Sequence, residues 1–443
     1  MKMIMSPWQY DKQEMRRILM LAIPCIISNI TVPLLGLVDV SIVGHMGNVS
    51  CIGAIAIGSM MFNIVYWLFG FLRMGTSGLT AQAVGAGDKA ETVRLLKRSV
   101  TVGLAIALGM VVMQLPLRSL LMWLLNTPRE SAEMVGRYYA ILIWGAPAMM
   151  CQYGLTGWFI GMQNTRIPMV VSITQNVVNI IASVLMVFGL GMQIEGVALG
   201  TLIAQWTGFL MAFFYAWNLG NKRQLPWHVP FMSVSAMLRF FAVNRDLFLR
   251  TVCLVAVNLY FTSAGARLGV VILAVNTLLM TLFTLFSHFL DGFAFAAEAC
   301  VGNAYGAGDK EQLNQTVRSL YWWGAIIVAV FTLVYTVGGE GFLGLLTNEQ
   351  DVVKAAADYL PWAVLVPAAG VLPFIYDGIF IGITASRGML ISSALAMVTF
   401  FTLCYLMIPT VGNHGLWQAL ISYLLVRGFV QMWLFYRGKK SML

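Results

Sequence analysis

The stretch AVGAGDK at residues 83–89 recurs 221 residues later as AYGAGDK at residues 304–310. The same offset places GWFIG, residues 157–161, on GIFIG, residues 378–382. One unchanged offset that joins two places about 75 residues apart is hard to obtain by chance. The chain is therefore predicted to be an internal duplication, and the rest of the sequence is interpreted within that frame.

The composition is that of a chain whose solvent is mostly lipid. Of 443 residues, 59% are hydrophobic and 10% are charged, against about 25% charged in an ordinary soluble domain. A membrane-spanning helix needs about 20 apolar residues. Twelve such segments are predicted, at 18–43, 52–83, 100–121, 135–161, 168–191, 196–219, 247–265, 270–305, 317–338, 356–382, 389–409 and 415–436.

Six spans in each copy give both copies the same orientation in the membrane. The predicted fold is therefore an all-α polytopic membrane protein of two parallel six-helix repeats, with the substrate path between the repeats. We expect an N-terminal segment (1–17), an N-lobe (18–219), a linker (220–246), a C-lobe (247–436) and a tail (437–443). Each GAGDK follows a long apolar helix, so its glycine is predicted to cap that helix and its Asp to start the next. A phosphate-binding loop would need a preceding strand.

Basic residues are distributed by side of the membrane. With the N-terminus in the cytoplasm, 21 of the 27 Lys and Arg fall on the cytoplasmic side, among them Arg250 and Arg427. Only Arg73 is then left inside a span. This asymmetry is typical of positive-inside sorting, so the net charge of +9 indicates orientation, and nucleic-acid binding is not expected. The polar segment before the first span predicts that this span is retained and that both termini are cytoplasmic.

Four acids fall inside predicted spans: Asp39, Asp291, Glu298 and Asp377. A charged side chain at the centre of a bilayer costs several kcal/mol, so intramembrane acids are candidates for function. No metal-ligand spacing, nucleophile motif or catalytic constellation accompanies them. The sequence therefore predicts a transporter without a metal or other cofactor, and not an enzyme.

In the first half, Asp39 lies late in a span that also holds Pro24 and Pro33. In the fifth span, Asn176 and Asn179 share one helical face with two serines, and Thr201 lies early in the sixth. If these three helices pack together, Asp39 lies in a polar chamber that could bind the coupling cation. The alternative is that Asn and Ser only form interhelical hydrogen bonds.

In the second half, the eighth span carries a polar face that should avoid lipid. Its members step by three or four residues and are Asn276, Met280, Thr284, His288, Asp291, Phe295 and Glu298. Asp377 follows three prolines in the tenth span, with Tyr376 beside it. We expect Asp291 and Asp377 to take part in cation coupling, and Asn276, His288, Glu298 and Tyr376 to contact substrate. The alternative is a buried polar network that fixes helix register.

Arg73 needs a counter-ion if it is buried. The repeat offset places it on Ala294, about one turn from Asp291. We therefore hypothesise an Arg73–Asp291 pair between the repeats. Arg73 could instead attract an anionic substrate.

With these residues identified, the chain resembles the MATE family (multidrug and toxic compound extrusion). Pro24, Asp39 and Gly44 resemble the family's first helix, and the stretch at 157–169, GWFIGMQNTRIPM, resembles its fourth-helix signature. FLRMGTSGLTAQAVGAGD (71–88) and LDGFAFAAEACVGNAYGAGD (290–309) resemble the DNA-damage-inducible F branch.

The resemblance implies efflux of organic cations or amphiphilic toxicants across a bacterial plasma membrane, driven by inward H⁺ or Na⁺. It implies a V-shaped cleft between two six-helix lobes. It also implies cation coupling at Asp39 with fifth-helix Asn and Asp residues. Asn179 matches the family's Asn, whereas Ser183 stands at the position of its Asp. This departure weakens the expectation of a coupling site in the first half and favours Asp291 and Asp377 in the second half.

The sequence-based prediction is a monomeric, proton-coupled antiporter of small molecules. Na⁺ coupling is the first alternative, since Na⁺ needs several converging oxygens and Asp39, Asn179 and Thr201 could supply some. A flippase for lipid-linked oligosaccharides should show several basic residues in its cavity, and Arg73 alone argues against it. A membrane-embedded enzyme would need a catalytic constellation, and a channel would not need the duplicated architecture of a carrier.

Overall fold

The computed structural model describes residues 11–44, 49–231, 233–346 and 349–442, without the side chains at 32–41, 43–44, 49–50, 52, 234, 340, 345–346, 350 and 439–442. Throughout these residues the regular structure is helical and there is no strand. The helices are α1 (Lys12–Gly44), α2 (Val49–Phe69), α3 (Phe71–Gly85), α4 (Lys89–Val112), α5 (Gln114–Leu124), α6 (Arg129–Leu142), α7 (Ala146–Gly161), α8 (Arg166–Val184), α9 (Ile194–Lys222), α10 (Val234–Arg267), α11 (Val270–Gly306), α12 (Lys310–Leu346), α13 (Gln350–Gly382), α14 (Ser386–Val411) and α15 (Asn413–Met442).

Ten stretches in the described part of the chain are long and apolar enough to cross a membrane. Each overlaps one of ten of the twelve predicted spans, although Lys89–Val112 shares only residues 100–112 with the predicted span at 100–121. The other two predictions are 18–43, which lies within α1, and 135–161, which the structure divides between α6 and α7. The chain is therefore an all-α polytopic membrane protein, as predicted.

Several predicted spans are interrupted. The second is broken at Gly70, between α2 and α3, and the third at Met113, between α4 and α5. The fourth contains a 3₁₀ turn at Ile143–Gly145 just before Pro147. Proline has no N–H to donate to the preceding turn, so an uninterrupted helix is disfavoured there. Hydropathy averaged over a span does not detect such breaks.

The two GAGDK segments have the same turn geometry. Gly87 has φ of 72° and Gly308 has φ of 69°, a left-handed conformation that glycine adopts without a steric penalty. The Asp88 carboxylate accepts a 2.8 Å hydrogen bond from the N–H of Glu91, and Asp309 accepts a 2.9 Å bond from that of Gln312. The prediction that these segments cap helices is confirmed.

The two copies of the repeat also pack a pair of equivalent helices in the same way. In the first copy, a Cβ added at Gly161 of α7 would lie 2.9 Å from the N atom of Ala81 in α3. In the second copy, a Cβ at Gly382 of α13 would lie 2.9 Å from the N atom of Gly302 in α11. These pairs differ in number by the same 221 residues. Glycine therefore allows the same close helix crossing in both copies, which confirms the repeat in three dimensions.

The chain divides into two compact units. The N-terminal unit is Ile27–Phe241, and the C-terminal unit comprises Met1–Ile26 and Ala242–Leu443. The beginning of α1 belongs to the C-terminal unit, where Glu14 accepts a 2.7 Å hydrogen bond from Thr316 and Trp323 donates to the carbonyl of Met15. The predicted lobe boundaries at 18–219 and 247–436 remain a prediction.

Candidate coupling and substrate sites

The first group of predicted residues lies in the N-terminal unit, on α8 and α9. Asn179 of α8 is 2% exposed, and its Nδ2 donates a 3.0 Å hydrogen bond to Oγ1 of Thr201 in α9. Thr201 in turn donates to the carbonyl of Val197 at 3.0 Å. Nδ2 of Asn176 lies 3.4 Å from the carbonyl of Thr31 in α1. The structure thus brings α1, α8 and α9 together around these residues.

Two buried oxygens in this group have no hydrogen-bond donor among the described residues. They are Oδ1 of Asn179 and Oγ of Ser183. Ser183 is pressed against α9, because a Cβ at Gly200 would lie 2.7 Å from its backbone N. Leaving a buried polar atom unsatisfied costs about 1–3 kcal/mol. Asp39 belongs to α1, but its side chain lies outside the described residues.

The second copy of the repeat has aromatic side chains at the positions equivalent to Asp39 and Asn179. By the 221-residue offset, Asp39 corresponds to Tyr260 and Asn179 to Phe400. In the C-terminal unit the rings of Tyr260 and Phe400 are in edge-to-face contact, with centroids 6.0 Å apart. Helices related to α1 and α8 therefore bring these two positions into direct contact in the copy where both side chains are described.

The second group of predicted residues centres on Asp377 of α13, in the C-terminal unit. One carboxylate oxygen, Oδ2, accepts from Nη2 of both Arg250 in α10 and Arg427 in α15. The other, Oδ1, accepts a 2.8 Å bond from Nε2 of Gln431. All four side chains are buried; Asp377 and Arg250 are each 6% exposed and Arg427 is 4% exposed. We call these four residues the arginine–aspartate cluster.

Close packing of α15 on α13 positions this cluster. A Cβ at Gly428 would lie 2.8 Å from Cδ of Pro373, one turn before Asp377. The absence of a side chain at Gly428 therefore lets α15 approach and brings the neighbouring Arg427 to the carboxylate. Asp291 of α11 also lies within electrostatic reach of Arg250. Asp377 therefore contacts Arg250 directly, whereas Asp291 acts on it through its charge.

The assignment of Arg250 and Arg427 to cytoplasmic segments conflicts with the predicted spans at 247–265 and 415–436, which contain both residues. Both lie in helices that are candidate spans, Ser235–Arg267 and Asn413–Gly438, and both are buried. Arg73 is therefore not the only basic residue inside a span. The sequence signal for these buried arginines was Asp377 itself, because a buried carboxylate needs a counter-ion. Its partners lie 127 and 50 residues away in the chain, beyond any local pattern.

The predicted substrate contacts of the C-terminal unit occupy several environments. Asn276 is 3% exposed and exchanges two hydrogen bonds of 2.8 and 2.9 Å with Asn413, while its Oδ1 also accepts from Trp417. Its amide is thus engaged between α11 and α15. Glu298 is 1% exposed, His288 is half-buried, and the hydroxyl of Tyr376 contacts that of Tyr321.

Arg73 lies in the first turn of α3, half-buried and within electrostatic reach of Tyr153. It belongs to the N-terminal unit and Asp291 to the C-terminal unit. The Arg73–Asp291 pair therefore remains a prediction.

Comparison with known proteins identifies the family. The MatE family profile matches residues 24–185 and again residues 247–406, one match in each copy of the repeat. The chain is 37% identical to DNA damage-inducible protein F of Escherichia coli over 415 residues, which is 92% of this chain and 89% of the relative. It is 22% identical to the probable multidrug resistance protein NorM of Idiomarina loihiensis, over 94% of this chain and 93% of the relative.

Solved structures show the same fold. The Vibrio cholerae MATE transporter VcmN in its bent form superposes with a TM-score of 0.83 at 18% identity, covering 97% of this chain and 98% of that one. An outward-facing multidrug resistance MATE transporter superposes with a TM-score of 0.82 at 20% identity, covering 98% of each chain. The twelve-span interpretation agrees with these structures. The chain belongs to the MATE family, a family of transporters and not of enzymes, and within it to the DNA-damage-inducible F branch.

Proposed function

We propose that the protein is a proton-coupled antiporter that exports organic cations or amphiphilic toxicants by alternating access, with Asp39 as the group that carries the proton. The observation that supports this most directly is the contact between Tyr260 and Phe400. Since these are the repeat counterparts of Asp39 and Asn179, we propose that the positions of Asp39 and Asn179 face each other in the first copy too, where Oδ1 of Asn179 is buried without a donor among the described residues.

A carboxyl group beside an unsatisfied amide oxygen suits proton coupling. Burial favours the neutral form of a carboxylic acid, because the charged form loses its hydration. The neutral form carries an O–H that can donate to the Asn179 oxygen, whereas the carboxylate would face it as a second acceptor. Proton uptake would therefore change the packing of α1 against α8, and proton release on the other side would reverse it.

Asp377 is less suited to bind the coupling cation in the observed arrangement. Two guanidinium groups already share its Oδ2, and a further cation would be repelled by both. The arginine–aspartate cluster instead offers fixed positive charge in the C-terminal unit. We therefore place the coupling proton at Asp39, and expect Asp291 and Asp377 to affect transport through the charge balance of the cluster.

The driving force depends on the charge of the substrate. One proton entering delivers about 2.3 kcal/mol from a 100 mV potential and about 1.4 kcal/mol from one pH unit. A neutral substrate exchanged for one proton could be accumulated several-hundred-fold. For a monovalent cation exchanged one for one, the potential cancels and about tenfold accumulation remains.

The experiment is efflux from proteoliposomes with the membrane potential clamped by valinomycin and K⁺. A monovalent cation such as ethidium should be driven by an imposed pH difference of one unit, with a limit of about tenfold, and an imposed Na⁺ gradient alone should drive nothing. Asp39→Asn should abolish the response to the pH difference while substrate binding persists. Asp358→Asn, an exposed acid on α13, is the control and should transport normally.

The proposal is wrong if Asp39→Asn responds to the pH gradient as the unmodified protein does. Transport driven by Na⁺ at equal pH on both sides would favour the sodium-coupled alternative. Asn179→Leu should then lower the apparent Na⁺ affinity, because it removes one of the few oxygens near Asp39.

A flippase for lipid-linked oligosaccharides now has one observation in its favour. The argument against it was that Arg73 stood alone, whereas Arg250 and Arg427 are also buried in spans. Their charge is offset by Asp377 and by the nearby Asp291, so the export of cations and amphiphiles remains our proposal. Translocation of a fluorescent lipid-linked pyrophosphate that is lost in Arg427→Gln would favour the flippase.

We further propose a monomer that works without a cofactor, in the bacterial inner membrane, with both termini in the cytoplasm. The asymmetry of basic residues between alternate loops supports the orientation. Cysteines introduced at Lys89 and Lys310 should be labelled by an impermeant maleimide only in inverted vesicles, and a cysteine at Asn126 only in intact cells. The opposite pattern would reverse the orientation.

A further inference from the structure

The C-terminal unit contains a cavity of about 590 Å³ that the proposed transport path does not use. It lies where α11 and α13 end, α12 and α14 begin, and α15 approaches its end. Its lining includes Tyr305, Phe380, Ile383, Ile391, Leu434 and Phe435. The volume falls in the range of small-molecule sites, about 300–1,000 Å³.

The charged part of the lining favours an anion. The lining includes Lys310 and Arg387, both exposed, and Asp309. The Asp309 carboxylate is engaged in capping α12, whereas neither basic side chain makes a hydrogen bond or ion pair within the described part of the chain. Arg387 is also the second residue of α14, whose N-terminus has no side-chain cap and no acid in its first turn, so this helix dipole adds positive potential.

The repeat shows what fills the same place in the N-terminal unit. The offset carries Phe380, Ile383 and Asn314 of the cavity to Phe159, Met162 and Val93. Those three residues form one apolar cluster with Leu225 of the linker, against which Trp227 and Val229 also pack. The linker therefore covers the first copy of the groove at these three residues, whereas Val170 and Phe213, the counterparts of Ile391 and Leu434, are 39% and 54% exposed.

Hydrogen bonds hold the linker across that first groove. Nζ of Lys97 donates to the carbonyls of Trp227 at 2.6 Å and Val229 at 3.3 Å, and Nε of Arg98 donates to that of Phe231 at 2.8 Å. Trp227 stacks on Trp217, with centroids 5.2 Å apart. An occupant of this groove is thus apolar along its length and has polar groups at the rim.

We infer that the cavity of the C-terminal unit binds an acidic phospholipid, with the phosphate at Lys310 and Arg387 and an acyl chain along Ile391, Leu434 and Phe435. Basic pockets between spanning helices at the membrane boundary suit anionic headgroups. A free phosphate would use the basic residues but not the apolar walls. An uncharged amphiphile would use the walls but not the charge.

The test is lipid binding to the purified full-length protein, measured by native mass spectrometry. Phosphatidylglycerol and phosphatidylcholine with identical acyl chains are titrated in turn, and phosphatidylglycerol is titrated again with excess inorganic phosphate. The protein should retain phosphatidylglycerol in preference to phosphatidylcholine, and phosphate should not displace it. A Lys310→Gln/Arg387→Gln variant should bind phosphatidylglycerol roughly thirtyfold more weakly, at about fivefold for each charge.

The repeat supplies a matched control. Lys89 and Arg166 are the counterparts of Lys310 and Arg387 and are also exposed, but the linker covers their groove at Phe159 and Met162. Lys89→Gln/Arg166→Gln should therefore bind phosphatidylglycerol as the unmodified protein does. Ile391→Trp, which narrows the cavity without changing its charge, should weaken binding.

Three results would overturn the inference. One is equal loss in the two double variants, which would mean that surface charge alone is measured. Another is equal retention of the two lipids. The third is full displacement by inorganic phosphate, which would make the occupant a free anion.

Discussion

Replacing Asp377 by Asn would remove the negative charge of the arginine–aspartate cluster with almost no change in shape. The amide oxygen could still accept the hydrogen bond from Gln431 that Oδ1 accepts now at 2.8 Å. Arg250 and Arg427, however, would lose the carboxylate that both contact. With exposures of 6% and 4%, neither guanidinium could recover its hydration by turning toward water.

The expected cost follows from charge and burial. Breaking a buried ion pair by removal of one partner costs about 3–5 kcal/mol, because a charge is left buried and unpaired. We expect Asp377→Asn to lower the free energy of unfolding by that amount, as measured by far-UV circular dichroism during denaturation of the detergent-solubilised protein with sodium dodecyl sulfate. Asp358→Asn, the exposed acid on the same helix, should change it by less than about 0.5 kcal/mol.

A second substitution separates charge balance from packing. Arg427→Gln alone keeps the Arg250–Asp377 pair and should cost about 1.5–3 kcal/mol, the contribution of a hydrogen bond to a charged group. Combined with Asp377→Asn, it removes one of the two cations that have lost their contact with a carboxylate, so the double variant should be more stable than Asp377→Asn alone. Simple addition of the two losses, or a loss below 1 kcal/mol for Asp377→Asn, would refute the reasoning.

Three further predictions concern packing and hydrogen bonds. Gly157→Ala should destabilise the N-terminal unit by about 1–3 kcal/mol, because its Cβ would collide with the carbonyl of Arg73; unchanged denaturation would contradict the predicted helix crossing. Asn276→Leu should cost about 2–4 kcal/mol by the same measurement, since it leaves the N–H of Trp417 and the amide of Asn413 buried without a partner; a neutral effect would show that both groups find other acceptors. Leu225→Ala should loosen the linker and speed tryptic cleavage after Arg223, followed by gel electrophoresis, whereas Leu238→Ala at a site 65% exposed should not.

The features that recur in the chain were predictable from the sequence. The 221-residue offset predicted that the two copies fold alike, and the matched approaches of Gly161 and Gly382 to their neighbouring helices confirm it. The capping role of Gly87 and Gly308 was also predictable, because a left-handed glycine followed by Asp depends only on local geometry.

Features that depend on distant partners were not predictable. The sequence indicated that Asp377 needed a counter-ion, but Arg427 was assigned to a cytoplasmic segment because its charge fitted the positive-inside count. A basic side chain within a span adds to the positive-inside count in the same way whether it extends to the membrane interface or turns inward to contact a carboxylate. The breaks at Gly70 and Met113 were not predicted for another reason. Hydropathy is summed over a window of residues, and a short interruption of the helix hardly changes that sum.

The arginine–aspartate cluster also restricts how the C-terminal unit can change shape. Its members come from α10, α13 and α15, and they meet at a single carboxylate. If one of these helices slid by one turn, about 5.4 Å, a charged side chain of the cluster would be left in hydrocarbon without its partner. These three helices are therefore pinned in register, so any large movement during a transport cycle has to carry them along as one block or take place elsewhere in the chain.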